Sequence, residues 1–399
     1  MSAETRYSVT VGGRVQLVAP DDPIPGGMRT GALVRARLLD ELTLQPVTAP
    51  VVITPFGAAF DSPQARASVN PRAATGGLVG LVGTASRAFP SLDVVAYDVG
   101  LRVATDGYLP VAVSQPLGPQ PLFPQQFTAA VLPDLLLHRA PVILTGRTVL
   151  QGIGTTTALP GAVVQVTGLW RVAPTVVLAP PASPPDLVAI HPPLYAVAPA
   201  ATTVIRMVTP APDLANPKRL VRAVAAGARE VVLSNRVAIA AGQVLEVNAA
   251  DVTRAESVVV ASVVGAVSPA GEAVVTLEHP LANGHPAGAV ARRVDLLAPG
   301  PNETLAMDAI GGDVTLLVTT AAAFAAGTVE ITAGAGVPQY HRVSRYAVTS
   351  DADGYWALPP LSRVAVVEVR ATHGAHPTVT RLVAPEYPRR EQRADFVFS

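Results

Sequence analysis

Cysteine is absent from all 399 residues, which removes disulfides, thiolate nucleophiles and Cys-based zinc sites. Lysine is almost absent: Lys218 is the only one, and arginine carries nearly all the basic charge. That skew fits codon bias in a GC-rich genome; the functional alternative is selection for bidentate arginine contacts. Aromatic residues make up 5% of the chain and charged residues 15%, below the roughly one quarter charged that is usual for globular domains. The formal net charge is +0, so no overall field draws the chain to nucleic acid or anionic lipid. The stretch "MSAETRYSVTVGGRVQLVAP" has no basic region followed by an apolar one, so synthesis in the cytoplasm without a secretory signal is expected, with release as part of a particle left open. The longest uncharged candidate span, "VTLLVTTAAAFAAGTV", is too short and too rich in Thr, Ala and Gly to cross a bilayer as a helix.

What remains is Ala and Val, broken often by 39 prolines and 32 glycines. That pattern favours many short strands over long helices. "ALVRARLLD", "APVVITPF" and "YLPVAVS" read as strands, and "DVGLRVATDGYLPVAV" as a hairpin turning at Asp106-Gly107. Residues 1–139 are therefore expected to form an N-terminal β-sandwich. "GPQPLFPQQF" near its end reads as a crossover or linker, and "LPDLLLH" fits a helical turn or a strand. "PVILTGRTV" and "VVQVTGLW" open a second unit. Residues 171–202 carry so many prolines that they read as an extended crossover without central strands.

An internal repeat follows. "EVVLSNRVAIAAGQVLEV" resembles "DVTLLVTTAAAFAAGTVEI", with Gly242 and Gly327 at matching places. One β unit used twice is implied, giving inserted modules at 203–300 and 301–344. The Ala-Ala-Gly element is read as a sharp backbone turn where two layers approach, although "VTTAAAFAA" also suits a local helix.

Chemistry-bearing motifs are sparse. Among the seven histidines no HExxH occurs. His373 and His376, and His279 and His285 with Glu278, have loose ligand spacing and read as exposed turn residues. "GGLVGLVG" lacks the Lys-Ser/Thr of a phosphate loop and reads as a tightly packed strand, while no GxSxG elbow is present. Asp21-Asp22 and Asp40-Glu41 read as turn or edge charges, and "YPRREQR" as a solvated loop. No catalytic, cofactor or metal site is expected. Tyr340, Tyr346, Tyr355, Trp356 and Trp170 are the aromatic candidates for a platform. Alternation puts Tyr355 and Trp356 on opposite faces of one strand, so at most one lies in the core. Tyr355, Trp356 and Trp170 are the candidate interaction residues.

"VTSDADGYWALPPL" contains two acidic residues that suggest a calcium loop. Counting from Asp351, the positions that need ligands in such a loop hold Tyr355 and Ser362, so the stretch reads instead as a hairpin turning at Asp353-Gly354. Taken with Gly146-Arg147, Pro160-Gly161-Ala162, Thr349, Leu358-Pro359 and the closing "DFVF", it resembles the carboxypeptidase regulatory-like domain, a transthyretin-like seven-stranded sandwich. About 180 residues separate the motifs of the first part from the hairpin, so the resemblance implies one sandwich, 140–170 plus 345–399, interrupted by the insert. The expected class is all-β: two Ig/transthyretin-like sandwiches, the second interrupted by two small β modules. The family implies a module rather than a reaction. The expected role is a non-enzymatic structural or docking subunit of a phage-tail-like or contractile injection particle, partnered by other subunits or by itself, with no nucleic acid and no membrane insertion. The alternatives are a carbohydrate-binding or adhesion protein, or an accessory region of a hydrolase.

Overall fold

The computed structural model describes residues 29–56, 69–74, 76–85, 97–117, 130–170, 186–251, 253–265, 270–297, 299–385 and 390–399. The expectations for "RYSVTVGGRVQLVA", "GPQPLFPQQF", Asp21-Asp22 and the start of "YPRREQR" fall outside them. The chain is all-β and divides into Met1–Ala140 and Pro141–Ser399.

The first unit contains β1 (Arg29–Asp40), β2 (Val51–Phe56), β3 (Val69–Ala74), β4 (Leu78–Ala85), β5 (Tyr97–Thr105), β6 (Val111–Leu117), β7 (Ala130–Val131) and β8 (Leu135–Leu137). One sheet runs β3-β4-β1, with β7 and β8 both on β1; the other runs β2-β5-β6. Between them lie Val34, Leu38, Ile53, Leu81, Leu101, Val103 and Leu137. The stretch with two sequence readings, "LPDLLLH", contains the strand β8, because alternate leucines 135 and 137 are buried while Leu136 faces out.

The second unit opens with β9 (Ile143–Gln151), β10 (Thr156–Ala158) and β11 (Val163–Trp170). It then passes through an insert: β12 (Asp186–His191), β13 (Thr203–Pro212), β14 (Lys218–Arg219), β15 (Glu230–Leu233), β16 (Val244–Val247), β17 (Glu256–Gly265), β18 (Ala273–Leu277), β19 (Val290–Leu297), β20 (Glu303–Thr304), β21 (Thr315–Val318), β22 (Gly327–Ala333) and β23 (Gln339–Arg345). It closes with β24 (Ala347–Thr349), β25 (Tyr355–Ala357), β26 (Val366–His373), β27 (His376–Val383), β28 (Glu391–Arg393) and β29 (Phe396–Phe398). The opening and closing strands interleave: β9 carries β10, β25, β28 and β29, and the second sheet runs β24-β11-β26-β27. Phe396 and Phe398, both fully buried, anchor the core between these sheets with Trp356, Val164 and Val369. Burial of each phenylalanine contributes about 1.5–3 kcal/mol.

The two units share a strand plan. In the first, the Leu38 N–H donates to the Gly77 carbonyl and the Leu38 carbonyl accepts from Val47; in the second, Thr148 does the same with Gly354 and Leu159. Gly77 and Gly354 both have φ 75°, and a Cβ on either would stand 2.6 or 2.4 Å from that same carbonyl oxygen, of Leu38 or Thr148. Only glycine tolerates both conditions.

Inside the insert, the sheet order β15-β18-β17-β16-β19-β13-β22-β23-β12-β21 reads the same from both ends once the strands are taken as two copies of six, β12–β17 and β18–β23. β12 pairs with β21 and β23 as β18 pairs with β15 and β17. β13 pairs with β22 and β20 as β19 pairs with β16 and β14. The copies meet through β13–β19 and through the Ser257–Tyr340 bridge. Each copy thus lends its first two strands to the other, and two cores result.

This arrangement corrects three expectations. The proline-rich stretch 171–202 holds a central strand, β12, because "DLVAIH" contains no proline and its prolines only flank it. The module bounds also move: one core is built from 218–297, and the other from 186–212 with 303–345. Finally, the two Ala-Ala-Gly elements differ. Gly242 turns with φ 81°, whereas Gly327 begins a strand with ordinary backbone, its missing Cβ making room for Met207 Cε. The local helical reading survives only as a 3-10 turn at Ala321–Ala323.

Candidate functional site

Tyr355 is exposed on the outer face of β25, while Trp356 points into the core and packs on Phe396, ring centroids 5.6 Å apart. The guanidinium of Arg147, one strand over on β9, lies 3.9 Å from the Tyr355 ring centroid and bonds its hydroxyl. Around it, Asp395 accepts from the Arg147 N–H at 2.8 Å and from Arg393 Nε at 3.0 Å, and Thr145 donates to Glu391 at 2.9 Å. One face of Tyr355 is therefore taken by an arginine, which leaves an edge and the other face for a partner. Trp170 is half-buried at the end of β11, where its ring overlies Gly168 beside a bulge. Tyr340 and Tyr346 are buried and supply no platform. The three candidate residues do not converge on one surface patch: Trp356 is core, and Trp170 stands on the other sheet.

A denser set of polar groups lies in the insert, where the copies meet. The Glu256 carboxylate, on the first residue of β17, accepts from the Ala282 N–H at 2.8 Å, the Asn283 N–H at 3.0 Å, the Tyr195 hydroxyl at 3.0 Å and His285 Nε2 at 2.8 Å. Four donors fill the capacity of a carboxylate. The side chains of Glu256 and His285 are wholly buried. Its counterpart in the other copy, Gln339, accepts from the Tyr195 and Ala196 N–H groups at 2.7 and 3.0 Å. Ala198 stands where His285 does: each pairs with its partner turn, Ala198 with Ala309 and His285 with Val224. So the loop after each copy's first strand is held by a buried acceptor of the other copy, and one of these two sites has a carboxylate in place of the amide and adds a histidine and a tyrosine hydroxyl.

The rings of His279 and His341 flank Tyr195, with centroids 5.5 and 5.1 Å away. His341 donates from Nδ1 to the Pro192 carbonyl at 2.9 Å, and its Nε2 is buried without a partner. Burial pushes its pKa down to about 3; the Pro192 carbonyl opposes this, and His279 and His191 add to it. His341 is thus neutral at ordinary pH. Burial, then the Glu256 carboxylate, raises the Tyr195 hydroxyl and keeps it a donor. A cavity of about 160 Å³ adjoins this cluster, lined by His191, Glu246, Glu256, Tyr340, His341 and Arg342 among others.

Sequence reasoning placed His279 and His285 in an exposed turn and offered Glu278 as their companion. The structure buries His285 and pairs it with Glu256 instead. The signal was there: His285 occupies the position before a repeated turn where Ala198, Ile239 and Ala309 are buried, and in all four turns the fourth residue on donates back to the first residue after the buried one. His373 and His376 face each other across the β26–β27 hairpin, and no group of three or more metal-ligating residues occurs among the described residues.

No family model matches the chain, and no curated protein matches it. Two solved structures are similar at 8% identity and TM-score 0.21: the major pilin subunit BcpA of Bacillus cereus and a single-residue variant of that same subunit. In each comparison 93% of this chain and 99% of that one are covered.

Proposed function

We propose that the chain is a non-enzymatic structural or docking subunit of a larger assembly, of the phage-tail-like or contractile injection kind. The observation that carries this reading is how the insert is held. Two interlocked copies grow out of one connection of a sandwich, and three of the buried polar side chains that hold them, Glu256, Gln339 and Ser362, accept from backbone N–H groups. Glu256 and Gln339 hold loops, and Ser362 accepts from the Val314 and Thr315 N–H groups at 3.1 Å, tying insert to sandwich. Saturated groups of this kind fix a shape; they leave little free valence for proton transfer. Zero net charge and an Ala/Val-rich composition suit packing against other subunits.

The test is co-purification of the tagged chain with sheath, tube or baseplate proteins from the native host. Recovery of the chain alone under gentle lysis counts against the reading. The alternative is carbohydrate binding through exposed Tyr355. Arg147 over one face of that ring weighs against sugar stacking, and a glycan array on wild type and Tyr355→Ala separates the two.

A further inference from the structure

We infer that each sandwich is a clamp that carries tension between its own two ends, with the insert held off the load path. This deepens the scaffold reading and rests on it for its setting, though the geometry stands by itself. In the first unit the first described strand runs parallel to the last two: Val34 and Arg35 face Ala130 and Val131, and Leu38 to Asp40 face Leu135 to Leu137. In the second unit β9 runs parallel to β28 and β29: Ile143 to Thr145 face Glu391 to Arg393, and Thr148 to Leu150 face Phe396 to Phe398.

Parallel pairing has a mechanical consequence. The chain comes in at the Ile143 end of the ladder and leaves at the Phe398 end. A pull on these two points acts along the strands and loads every rung together. Had the first and last strands been antiparallel, the same pull would act at one end and peel rungs singly. Side chains pin the register in both units at the kink between the two short parallel strands. Asp134 takes Arg37 Nε at 3.0 Å and also its Nη2, and Asp395 takes the Arg147 N–H at 2.8 Å. Arg37 and Arg147 hold the same place, each directly before the residue that donates to Gly77 or Gly354.

Load on the second unit passes from β9 straight into β28 and β29. The insert, residues 186–345, lies between β11 and β24 and is bypassed. It carries none of the load while the clamp holds, and stays presented.

Optical-tweezer pulling of the full chain tests this, because the absence of cysteine makes two introduced thiols unique handles. One variant carries Pro141→Cys and Ser399→Cys, at opposite ends of the β9 ladder. The other carries Ile153→Cys and Ser399→Cys, at the same end; Ile153 is fully exposed. At one pulling speed the first is expected to rupture at a force about threefold or more above the second, since forced unfolding reads the barrier along the pulled direction. The first release of length should include the whole clamp. Equal forces overturn the clamp, and so does a first release matching the insert alone. A low force from a chain that co-purifies with particles removes the clamp and leaves the assembly; a high force from a chain without such partners supports the clamp although the assembly reading fails.

Discussion

At the residue scale, the insert supplies its own control for Glu256, because Gln339 performs the same backbone task without charge. Removing His285 takes one of four donors from the buried Glu256 carboxylate, and leaving a buried acceptor short of a partner costs about 1–3 kcal/mol, to which the cavity left by the ring adds. His285→Ala is therefore expected to be severe. Adding Glu256→Gln copies the Gln339–Ala198 arrangement of the other half, and the double variant should recover at least about 1 kcal/mol relative to His285→Ala. Urea unfolding of the two single variants and the double variant reads this directly, and strict additivity would refute it. His341 gives a second prediction, about acid. Its folded pKa lies near 3, against an ordinary value of 6.5. Above pH 6.5 neither state binds the proton and the full stability is present. As pH falls from 6.5 toward 3 only the unfolded chain takes the proton, so this residue removes up to about 1.4 kcal/mol per pH unit. The counterpart of His341 is the buried Val258. In His341→Val the stability lost between about pH 7 and about pH 4.5 should shrink accordingly, at the expense of an unpaired Pro192 carbonyl at every pH.

At the element scale, two like-looking glycines are expected to respond differently to the same change. Gly242 sits at φ 81° with open space where a Cβ would go, so Gly242→Ala should cost about 1–2 kcal/mol through backbone strain alone. Gly327 has ordinary backbone and meets only Met207 Cε at 2.7 Å, the far end of a flexible side chain. Gly327→Ala should be near neutral, and thermal melts of the two variants decide it. The Ala-Ala-Gly words were visible in the sequence, but which one turns was not, since that depends on a strand brought in from the other copy. The same limit applied to aromatic residues in part. Alternation along β25 correctly separated exposed Tyr355 from buried Trp356, because the two are neighbours on one strand. The burial of Tyr340 and Tyr346 was not legible, as it follows from packing between distant segments. A matching prediction is Trp356→Ala at about 3–5 kcal/mol against less than about 0.5 for Tyr355→Ala.

For the whole molecule, the two-sandwich plan was legible because its markers are local: strand runs with the Asp106-Gly107 turn in the first, and a Gly turn, a Leu-Pro stop and an aromatic closing strand in the second. The exchange of strands inside the insert was not, since a sequence period of this kind is the same whether each copy closes on itself or on its neighbour. Nor did the sequence reveal how firmly insert and sandwich are joined. β12 and β21 are buried on both faces. Val188, Ile190, Leu316 and Val318 face the insert core, while Leu187, Ala189 and Leu317 face the sandwich core. Ser362 Oγ accepts from two insert N–H groups, its own N–H donates to Thr315 Oγ1 at 2.9 Å, and the Tyr346 hydroxyl bonds Thr315 Oγ1 and the Pro360 carbonyl, both at 2.7 Å. The bonds to Ser362 are buried, so Ser362→Ala strands two N–H groups at about 1–3 kcal/mol each. The second unit should therefore unfold as one cooperative body in the wild type. In the double variant Ser362→Ala, Tyr346→Phe the junction is weakened while neither core loses apolar volume, and the transition should split, the insert core and the sandwich core melting apart. Amide exchange followed by mass spectrometry would show it: uniform protection across β12–β29 in the wild type, and two protection levels in the variant, divided at the junction strands. A single level that falls evenly would mean that the contacts left at the junction, among them the packing of Leu187, Ala189 and Leu317 and the Arg363–Asp313 ion pair at 3.4 Å, suffice to couple the two cores.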